Sequence, residues 1–578
     1  MRSPLIAGAV ALSTVVCVFG LPFLFPPSHP SLSAAYTSGF NNRVATVAAA
    51  LISLATLAFA WRSQPISSST PVLDRSPVDR KVLTGALTLC AAFTLALGWL
   101  LTRAGVAYND NLYFLEYMDE VSRYHLHIYK DFDFLYGPLL LYFPVALHVL
   151  LRPWHVGTHG SYYLALASMQ LLGITLLYYT LAALPLSKRS RTHLLCLFTF
   201  CVLCPLLGLN YTLVRSLLPF STLLFITRVK QPFYLAAAFF LGELLQLAVS
   251  PELGVAFAAG ACFYAGCESF IHTRAFLPAV AAPPLAIAAF LGVVGKSYLN
   301  SISQFSSGSL NLIVEPLPYI LFFLFAVVWL VPRMLGQRMQ IDAGQTIPML
   351  SLFVVSLALL PAAFGRCDPL HVFFNGTGFY LLAAVAVSSY SGKGRKNWFF
   401  ALDLVLVWTQ CVNTFIFLPP LVFAARVVSG ANAQITQANA TLLDLPKVER
   451  MVGDGKISTP FWIPYAVEAE LKRTGKYVPD RDCFYIGVWD ARAETARVER
   501  MRAKEWVLVP RENETIAETA ESSALFLGFG FTYRSRHPPY LYGAILLSDL
   551  AANWSKVSET PQWTLYHYDH SDRASGLQ

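Results

Sequence analysis

The sequence predicts a polytopic α-helical membrane protein, with about 11–13 transmembrane helices and a small C-terminal α/β soluble domain. Two properties carry this prediction: of the 578 residues, 55% are hydrophobic and only 13% are charged. Soluble domains carry roughly 25% charged residues. A chain this apolar cannot cover itself with polar surface in water, so its composition excludes a soluble enzyme, a disordered chain and a collagen-like chain.

The formal net charge of +8 is a third observation. The basic residues stand in short clusters beside apolar runs, a pattern that indicates membrane orientation rather than nucleic-acid binding. Most of the ten cysteines lie inside apolar runs, where Cys packs as a small hydrophobic residue. Cys201 and Cys204 have the spacing of a redox or metal motif, but no His lies nearby and packing is the simpler interpretation.

The transmembrane helices are predicted from apolar runs, because a span needs about 20 such residues. The first run could be a signal peptide, but its length and the lack of a clear cleavage site favour a retained anchor. Residues 139–151 form a shorter run that contains Pro144 and His148, and we interpret it as a re-entrant or interfacial helix. The thirteen predicted segments are 5–25, 44–60, 82–102, 161–187, 192–209, 213–227, 232–250, 253–271, 275–295, 317–332, 346–365, 378–391 and 398–425.

Lys and Arg in the short loops predict the orientation. With the N-terminus in the cytoplasm and each segment crossing once, every basic cluster faces the cytoplasm. Counting residues 139–151 as a span would place the cluster at 188–191 outside. We therefore expect a multi-pass protein of the plasma (inner) membrane, with its C-terminal domain extracytoplasmic. The clusters are 62–81, 188–191, 228–230, 272–274, 333–338 and 393–396.

The chain divides into four predicted parts. Residues 1–102 form N-terminal transmembrane helices, 103–160 an outer catalytic loop with interfacial helices, and 161–425 a transmembrane bundle. Residues 426–578 form an extracytoplasmic α/β domain. Within that domain we expect strands at 484–489, 506–509 and 563–568 and a charged amphipathic helix at 491–504.

The outer loop has a high density of acidic residues, including the pair Asp119 and Glu120. A carboxylate at the membrane surface can accept a proton from a substrate hydroxyl as a general base. Adjacent carboxylates can also hold a divalent cation, which neutralises charge on a departing phosphate. The plainer interpretation is that a water-facing loop is simply acidic and solvated.

A second cluster, Arg366, Asp368 and His371, follows a long uncharged run and is predicted to lie at the same outer surface. Arg366 is a permanent cation suited to phosphate, and His371 could bind an anion or carry a proton. Asp368 before Pro369 is also a good N-cap and N1 pair, and the two cations could be interfacial anchors.

Four further charged residues could have either a functional or a structural role. Arg215 and Glu252 lie at outward corners, where they could face the same cavity or be ordinary interfacial residues. Glu243 and Asp403 lie inside predicted spans, where acidic residues are functional candidates because their burial in lipid is costly. A structural hydrogen bond explains these two equally well.

Together these motifs resemble the GT-C superfamily of membrane glycosyltransferases, distantly like protein mannosyltransferases and lipid A aminoarabinose transferases. The resemblance rests on three stretches between about residues 80 and 390. One is the acidic pair Asp119-Glu120. The others are Lys130-Asp131-Phe132-Asp133-Phe134-Leu135-Tyr136-Gly137-Pro138-Leu139 and Arg366-Cys367-Asp368-Pro369-x-His371.

The resemblance implies a polyprenyl-phosphate-linked sugar donor, transfer on the outer face of the membrane and inversion at the anomeric carbon. Asp119 would be the general base, and Glu120 its neighbour or a metal ligand. We infer from charge that Arg366 and His371 bind the donor phosphate. Binding of a divalent cation such as Mg²⁺ or Mn²⁺ is left open, because one acidic pair offers few ligands. The other residues we expect to bind substrate are Asp131, Asp133, Tyr136, Arg215, Glu252 and Asp368.

One feature departs from the superfamily pattern. In its best-known members the acidic loop follows the first span, whereas here it follows the third predicted span. The acceptor could be a glycan, a lipid or a protein. The alternative function is a transporter or lipid flippase without enzymatic activity, but transporters place their sites near the membrane midplane and here the charge collects at the outer edge. A polymerase or ligase of surface polysaccharide would differ mainly in its acceptor.

Overall fold

The computed structural model describes most of the membrane region and parts of the C-terminal tail. The described residues are 2–27, 35, 38–63, 78–104, 109–203, 207–271, 274–305, 312–339, 343–388, 393–429, 436–460, 465–477, 494–495, 498–499, 501–502, 505–511 and 544–568.

Helices dominate the chain up to residue 428. In chain order they are α1 (Arg2–Thr14), α2 (Asn42–Arg62), α3 (Arg80–Ala104), α4 (Asn109–Tyr124), α5 (Pro138–Leu151), α6 (Thr158–Ala183), α7 (Lys188–Val202), α8 (Leu213–Ile226), α9 (Pro232–Val249), α10 (Pro251–Ile271), α11 (Leu277–Phe305), α12 (Pro318–Phe325), α13 (Val331–Met339), α14 (Ala343–Ala358), α15 (Leu360–Arg366), α16 (Pro369–Asn375), α17 (Thr377–Ser388) and α18 (Lys393–Val428).

The predicted class of polytopic α-helical membrane protein is confirmed. The described part of the chain contains nine helical stretches that are long and apolar enough to cross a membrane, or up to ten if the bent pair α16 and α17 forms one span. They coincide with nine of the thirteen predicted segments. They are Ile6–Phe23, Asn42–Arg62, Arg80–Ala104, Thr158–Ala183, Pro232–Val249, Pro251–Ile271, Arg274–Ile302, Pro318–Arg338 and Thr346–Arg366.

The other four predicted segments take different forms. Helices α7 and α8 have only 15 and 14 residues, α16 and α17 are bent by 66°, and α18 is a single helix of 36 residues. The segment interpreted as re-entrant or interfacial is a short apolar helix, α5, which a single 3₁₀ turn extends to Trp154.

Local sequence signals explain where several helices begin. Asn41 caps α2 by accepting from the amides of Arg43 and Val44, and Ser187 caps α7 by accepting from the amide of Ser190. Pro occupies the first turn of α5, α9, α12, α15 and α16, where its missing N–H costs no helical hydrogen bond. The helices share one continuous apolar core, and the aromatic side chains of the outer loop are part of it.

The C-terminal domain, described here between residues 436 and 568, contains a four-stranded sheet. Its strands are β1 (Ile457–Ser458), β2 (Trp506–Pro510), β3 (Ser555–Glu559) and β4 (Trp563–His567), in the order β1-β2-β4-β3. β1 pairs parallel with β2, and the other pairings are antiparallel. The helices of this domain that the structure describes along their length are α19 (Thr436–Val452), α20 (Tyr465–Arg473) and α21 (Ala544–Asn553).

The two faces of this sheet carry separate cores. On one face, Leu508 packs with Leu445 of α19 and Leu471 of α20. On the other, Val507 and Leu550 of α21 belong to a second cluster. This alternation along β2 is the ordinary pleat of a strand buried on both sides.

The predicted small α/β domain is therefore confirmed, as are its strands at 506–509 and 563–568. The predicted strand at 484–489 and most of the predicted helix at 491–504 lie outside the described residues. The sequence did not indicate β1 and β3, which are a two-residue strand and a polar strand with little burial.

Candidate active site

Asp119 stands near the end of α4, and three separate elements meet at its carboxylate. Thr158, the first residue of α6, donates a hydrogen bond from Oγ1 to Asp119 Oδ1 at 3.1 Å. The Lys472 ammonium, carried by α20, lies 3.2 Å from Asp119 Oδ2. The Asp119 side chain keeps 17% of its surface exposed, whereas that of Lys472 keeps only 3%. The predicted general base is thus held on both oxygens and remains partly accessible.

Helix α20 reaches Asp119 because the C-terminal domain docks on the end of α4. The Arg123 guanidinium donates to the Lys472 carbonyl at 2.6 Å. The Tyr124 ring lies 6.0 Å from the ring of Tyr477 and packs against the apolar core of the domain. The Lys472 ammonium is also 5.0 Å from the Tyr477 ring centroid, within the range of a cation–π contact.

Glu120 is only 4% exposed and is therefore part of the protein interior. Consecutive residues of a helix do not face each other, so Asp119 and Glu120 point to different faces of α4. In the described residues, no group of three or more His, Cys, Asp or Glu side chains is placed to hold a metal ion. In the described part of the chain, the Lys472 ammonium lies against Asp119, so the described side chains around this carboxylate do not fit a divalent cation.

The Tyr-Gly-Pro segment is wedged against the end of α9. Gly137 donates from its amide to the Val249 carbonyl at 2.9 Å. A Cβ added to Gly137 would lie 2.3 Å from the Leu247 carbonyl oxygen, so only glycine fits this close approach. Tyr136 is fixed on the other side, where its hydroxyl accepts a hydrogen bond from Asn210 Nδ2 at 3.0 Å.

Arg215 and Glu252 form a partly buried ion pair beside Tyr136. Arg215 donates to a carboxylate oxygen of Glu252 and, at 3.0 Å, to the Asn210 carbonyl. Its guanidinium lies 5.3 Å from the Tyr136 ring centroid. The other Glu252 oxygen accepts from the Ser250 hydroxyl at 2.5 Å. Three predicted substrate-binding residues thus form one cluster, in which the charges of Arg215 and Glu252 satisfy each other.

Asp368 caps α16, as its position before Pro369 suggested. Its Oδ1 accepts from the His371 amide at 2.9 Å. Its Oδ2 lies 2.8 Å from His371 Nδ1 and 3.0 Å from Arg366 Nε. Burial alone would raise the pKa of Asp368, but His371 and Arg366 together lower it to about 2. The three residues expected to act together therefore do lie together around an ionised carboxylate.

A 3₁₀ turn at Leu209–Tyr211 joins these two clusters. Asn210 contacts Tyr136 as described above, and the Tyr211 hydroxyl lies 3.0 Å from His371 Nε2. Upstream, the ring of Phe114 on α4 stacks on Tyr136 at 6.1 Å. The helix that carries Asp119 therefore also contacts Tyr136, a member of the second group of candidate residues.

The remaining two predicted residues lie at a turn of the outer loop, beside the isolated bridge between Ile128 and Phe132. Asp131 accepts from the His127 amide at 2.9 Å through Oδ2, and this bond closes the turn between them. Asp133 is half-buried between Phe132 and Phe134, whose rings pack inward. Asp131 thus has a local structural role, and substrate binding by both residues stays a prediction.

Sequence reasoning missed Thr158, Tyr211 and Lys472. Tyr211 had a weak signal, because it lies in a polar break between two apolar runs and four residues before Arg215. Lys472 had none, since it is one of several charged residues on an amphipathic helix of the tail.

The course of the chain is similar to that of solved oligosaccharyltransferase structures from Archaeoglobus fulgidus. One is the archaeal oligosaccharyltransferase AglB in complex with an inhibitory peptide and a dolichol-phosphate, with a TM-score of 0.44 and 12% identity over 85% of this chain and 74% of that chain. Another is a crystal structure of the oligosaccharyltransferase in complex with Zn and sulfate, with a TM-score of 0.39 and 12% identity over 84% of this chain and 73% of that chain. Neither a protein-family model nor a curated protein matched the sequence.

Proposed function

We propose that this protein is a membrane glycosyltransferase that moves a sugar from a polyprenyl-phosphate donor to an acceptor hydroxyl at the outer face of the membrane. The observation that carries the proposal is the carboxylate of Asp119. It is held by Thr158 of a membrane helix and by Lys472 of the C-terminal domain, and it stays 17% exposed. A carboxylate oriented in this way is suited to act as a general base.

In the proposed reaction, Asp119 accepts the proton of the acceptor hydroxyl while the hydroxyl oxygen attacks the anomeric carbon. The bond from that carbon to the phosphate oxygen breaks, and the lipid phosphate departs with the electron pair. Attack from the side opposite the phosphate inverts the anomeric centre. The proton held by Asp119 then passes to water, which restores the base.

The negative charge that develops on the departing phosphate needs a positive partner. Arg366 is a permanent cation and keeps 26% of its side chain exposed, and the adjacent His371 keeps 19%. Their shared contact with Asp368 orients both side chains. We infer that this pair binds the donor phosphate.

We also propose that the protein has the topology predicted from its basic loops. Residues 103–160 carry the base at the extracytoplasmic surface, and residues 426–578 form a domain on the same side. The acceptor in this proposal is a glycan, a lipid or a protein that presents a hydroxyl. A flippase would use the same outer charges to move a lipid-linked sugar without cleaving it.

The test is a transfer assay with the full chain in proteoliposomes. The probes are decaprenyl-phosphate-linked [14C]mannose, glucose and arabinose, with a membrane extract as the source of acceptors. We expect release of decaprenyl phosphate and transfer of label, both abolished in Asp119→Asn and Arg366→Ala. Asp454→Asn, an exposed carboxylate of the C-terminal domain, is the matched control and should keep full activity.

Two results would contradict the proposal. Full transfer by both site variants would show that these residues do not form the active site. Movement of intact labelled donor across the membrane, without cleavage, would favour the flippase.

A further inference from the structure

Lys472 is an unusual residue in this fold because its charge is buried. Only 3% of its side chain is exposed, although lysine is almost never fully buried unless it is paired. Its partner is the Asp119 carboxylate, 353 positions earlier in the chain, with Nζ and Oδ2 3.2 Å apart. The burial of this charge is therefore compensated at the proposed general base.

Contacts that do not involve the ammonium hold the Lys472 backbone in place. Arg123 binds the Lys472 carbonyl at 2.6 Å, and Tyr124 packs into the core of the C-terminal domain. Tyr477 donates from its amide to the Leu471 carbonyl at 3.1 Å, which holds the backbone of the residue whose ring faces the ammonium. The domain would remain docked on α4 if only the ammonium were removed.

We propose that Lys472 is a positioning residue for Asp119, delivered by the C-terminal domain, and that it supplies at this carboxylate the positive charge for which a divalent cation was considered. The inference rests on the proposed function, because it assigns a role to the partner of the proposed base.

The geometry around Asp119 explains how one ammonium can position this carboxylate. Each carboxylate oxygen has two acceptor positions. Among the described residues, Thr158 and Lys472 each use one, which leaves a second position on each oxygen for the hydroxyl of an acceptor. With both oxygens held, rotation of the carboxylate is restrained, and a misplacement of about 1 Å in a catalytic group costs about 10²-fold in rate.

The test compares Lys472→Met and Lys472→Arg in the same proteoliposome assay. Arg473→Met is the matched control, because Arg473 is the next residue of the same helix but is 70% exposed and forms its described ion pair with the surface carboxylate of Glu470. We expect kcat to fall about 10²-fold in Lys472→Met with the KM for the donor unchanged. Lys472→Arg should recover most of this loss, and Arg473→Met should match the wild type.

Hydrogen exchange of residues 109–124 separates positioning from docking. We expect α4 to remain as protected in Lys472→Met as in the wild type, because the contacts of Arg123 and Tyr124 persist. Loss of this protection together with activity would overturn the inference and make Lys472 a docking contact. An activity of Lys472→Met within twofold of the wild type would also overturn it.

Two further measurements complete the test. Wild-type transfer should persist in excess EDTA, and a loss that Mg²⁺ or Mn²⁺ restores would refute the electrostatic role of Lys472. A water-soluble carbodiimide should join Lys472 to Asp119 through an amide, detectable as a linked peptide in the wild type and missing in Asp119→Asn. A linked peptide without transfer on any donor would contradict the proposed function while supporting the pairing, and its absence from an active wild type would refute the pairing.

Discussion

Replacing Glu252 with Met should destabilise the protein by about 3 kcal/mol, because it leaves the Arg215 guanidinium buried without a counter-charge. The Arg215 side chain is 9% exposed and would keep only the Asn210 carbonyl and the Tyr136 ring face as polar partners among its described contacts. Breaking a buried ion pair by removing one partner costs about 3–5 kcal/mol. The Glu252 side chain is 28% exposed, so water compensates part of the loss and the lower end of that range applies.

The double variant Arg215→Met/Glu252→Met is the internal control. Replacing a whole buried pair with apolar side chains of similar size is often nearly neutral. We therefore expect the double variant to lie within about 1 kcal/mol of the wild type, which gives a coupling energy of at least about 2 kcal/mol.

The assay is reversible unfolding in mixed micelles with increasing mole fractions of dodecyl sulfate. Glu470→Gln provides the contrast, because its ion pair with Arg473 lies on the surface and should add no measurable stability. A loss below about 1 kcal/mol in Glu252→Met, or a double variant as unstable as the sum of the single variants, would refute the view that burial governs this pair.

Three further predictions follow from the same geometry. Gly137→Ala should lower both stability and transfer activity, since its Cβ would lie 2.3 Å from a backbone oxygen of α9. Gly85→Ala is the control and should be tolerated, because a Cβ at that position has nothing within 4 Å. Thermal unfolding and the transfer assay measure both variants. Folding lowers the pKa of the Asp368 carboxyl from 3.8 to about 2. The ionised carboxyl therefore contributes on the order of 2 kcal/mol to the free energy of unfolding above pH 4, and this contribution is lost as the pH falls through 2. Asp368→Asn should remove this part of the acid dependence of unfolding, and an unchanged acid profile would contradict the ionised pair. Cysteine placed at Asp454 should react with an impermeant maleimide from outside the cell and cysteine placed at Arg189 only after permeabilisation, whereas the opposite labelling would reverse the predicted orientation.

The local motifs were predicted well because their causes are local. The capping role of Asp368 follows from its position before Pro369, and the structure shows the capping bond to the His371 amide. The apolar runs predicted nine helical stretches that the described part of the chain contains, because a continuous run of about 20 apolar residues has few other stable forms. The strand at β2 was likewise evident from its apolar residues, while the polar strand β3 was not.

The assembled site was only partly predictable. Its acidic and basic members were identified by residue type, but their partners were not. Glu120 shows the limit, because its place beside Asp119 in the sequence suggested a shared cation, whereas the helix directs the two side chains to different faces and buries Glu120.

The sequence by itself determined the membrane class, the approximate spans and the types of residue available for chemistry. These properties depend on the composition and the hydrophobic pattern of short stretches of the chain. Only the tertiary structure decided which of these residues meet. Tyr136 with Asn210, Tyr211 with His371, and Asp119 with Lys472 are separated by 74, 160 and 353 positions. Apolar helices offer similar surfaces on several sides, so no local pattern specifies these neighbours. Packing of the whole bundle, and the docking of the C-terminal domain on α4, bring a buried ammonium to the carboxylate that we propose as the base.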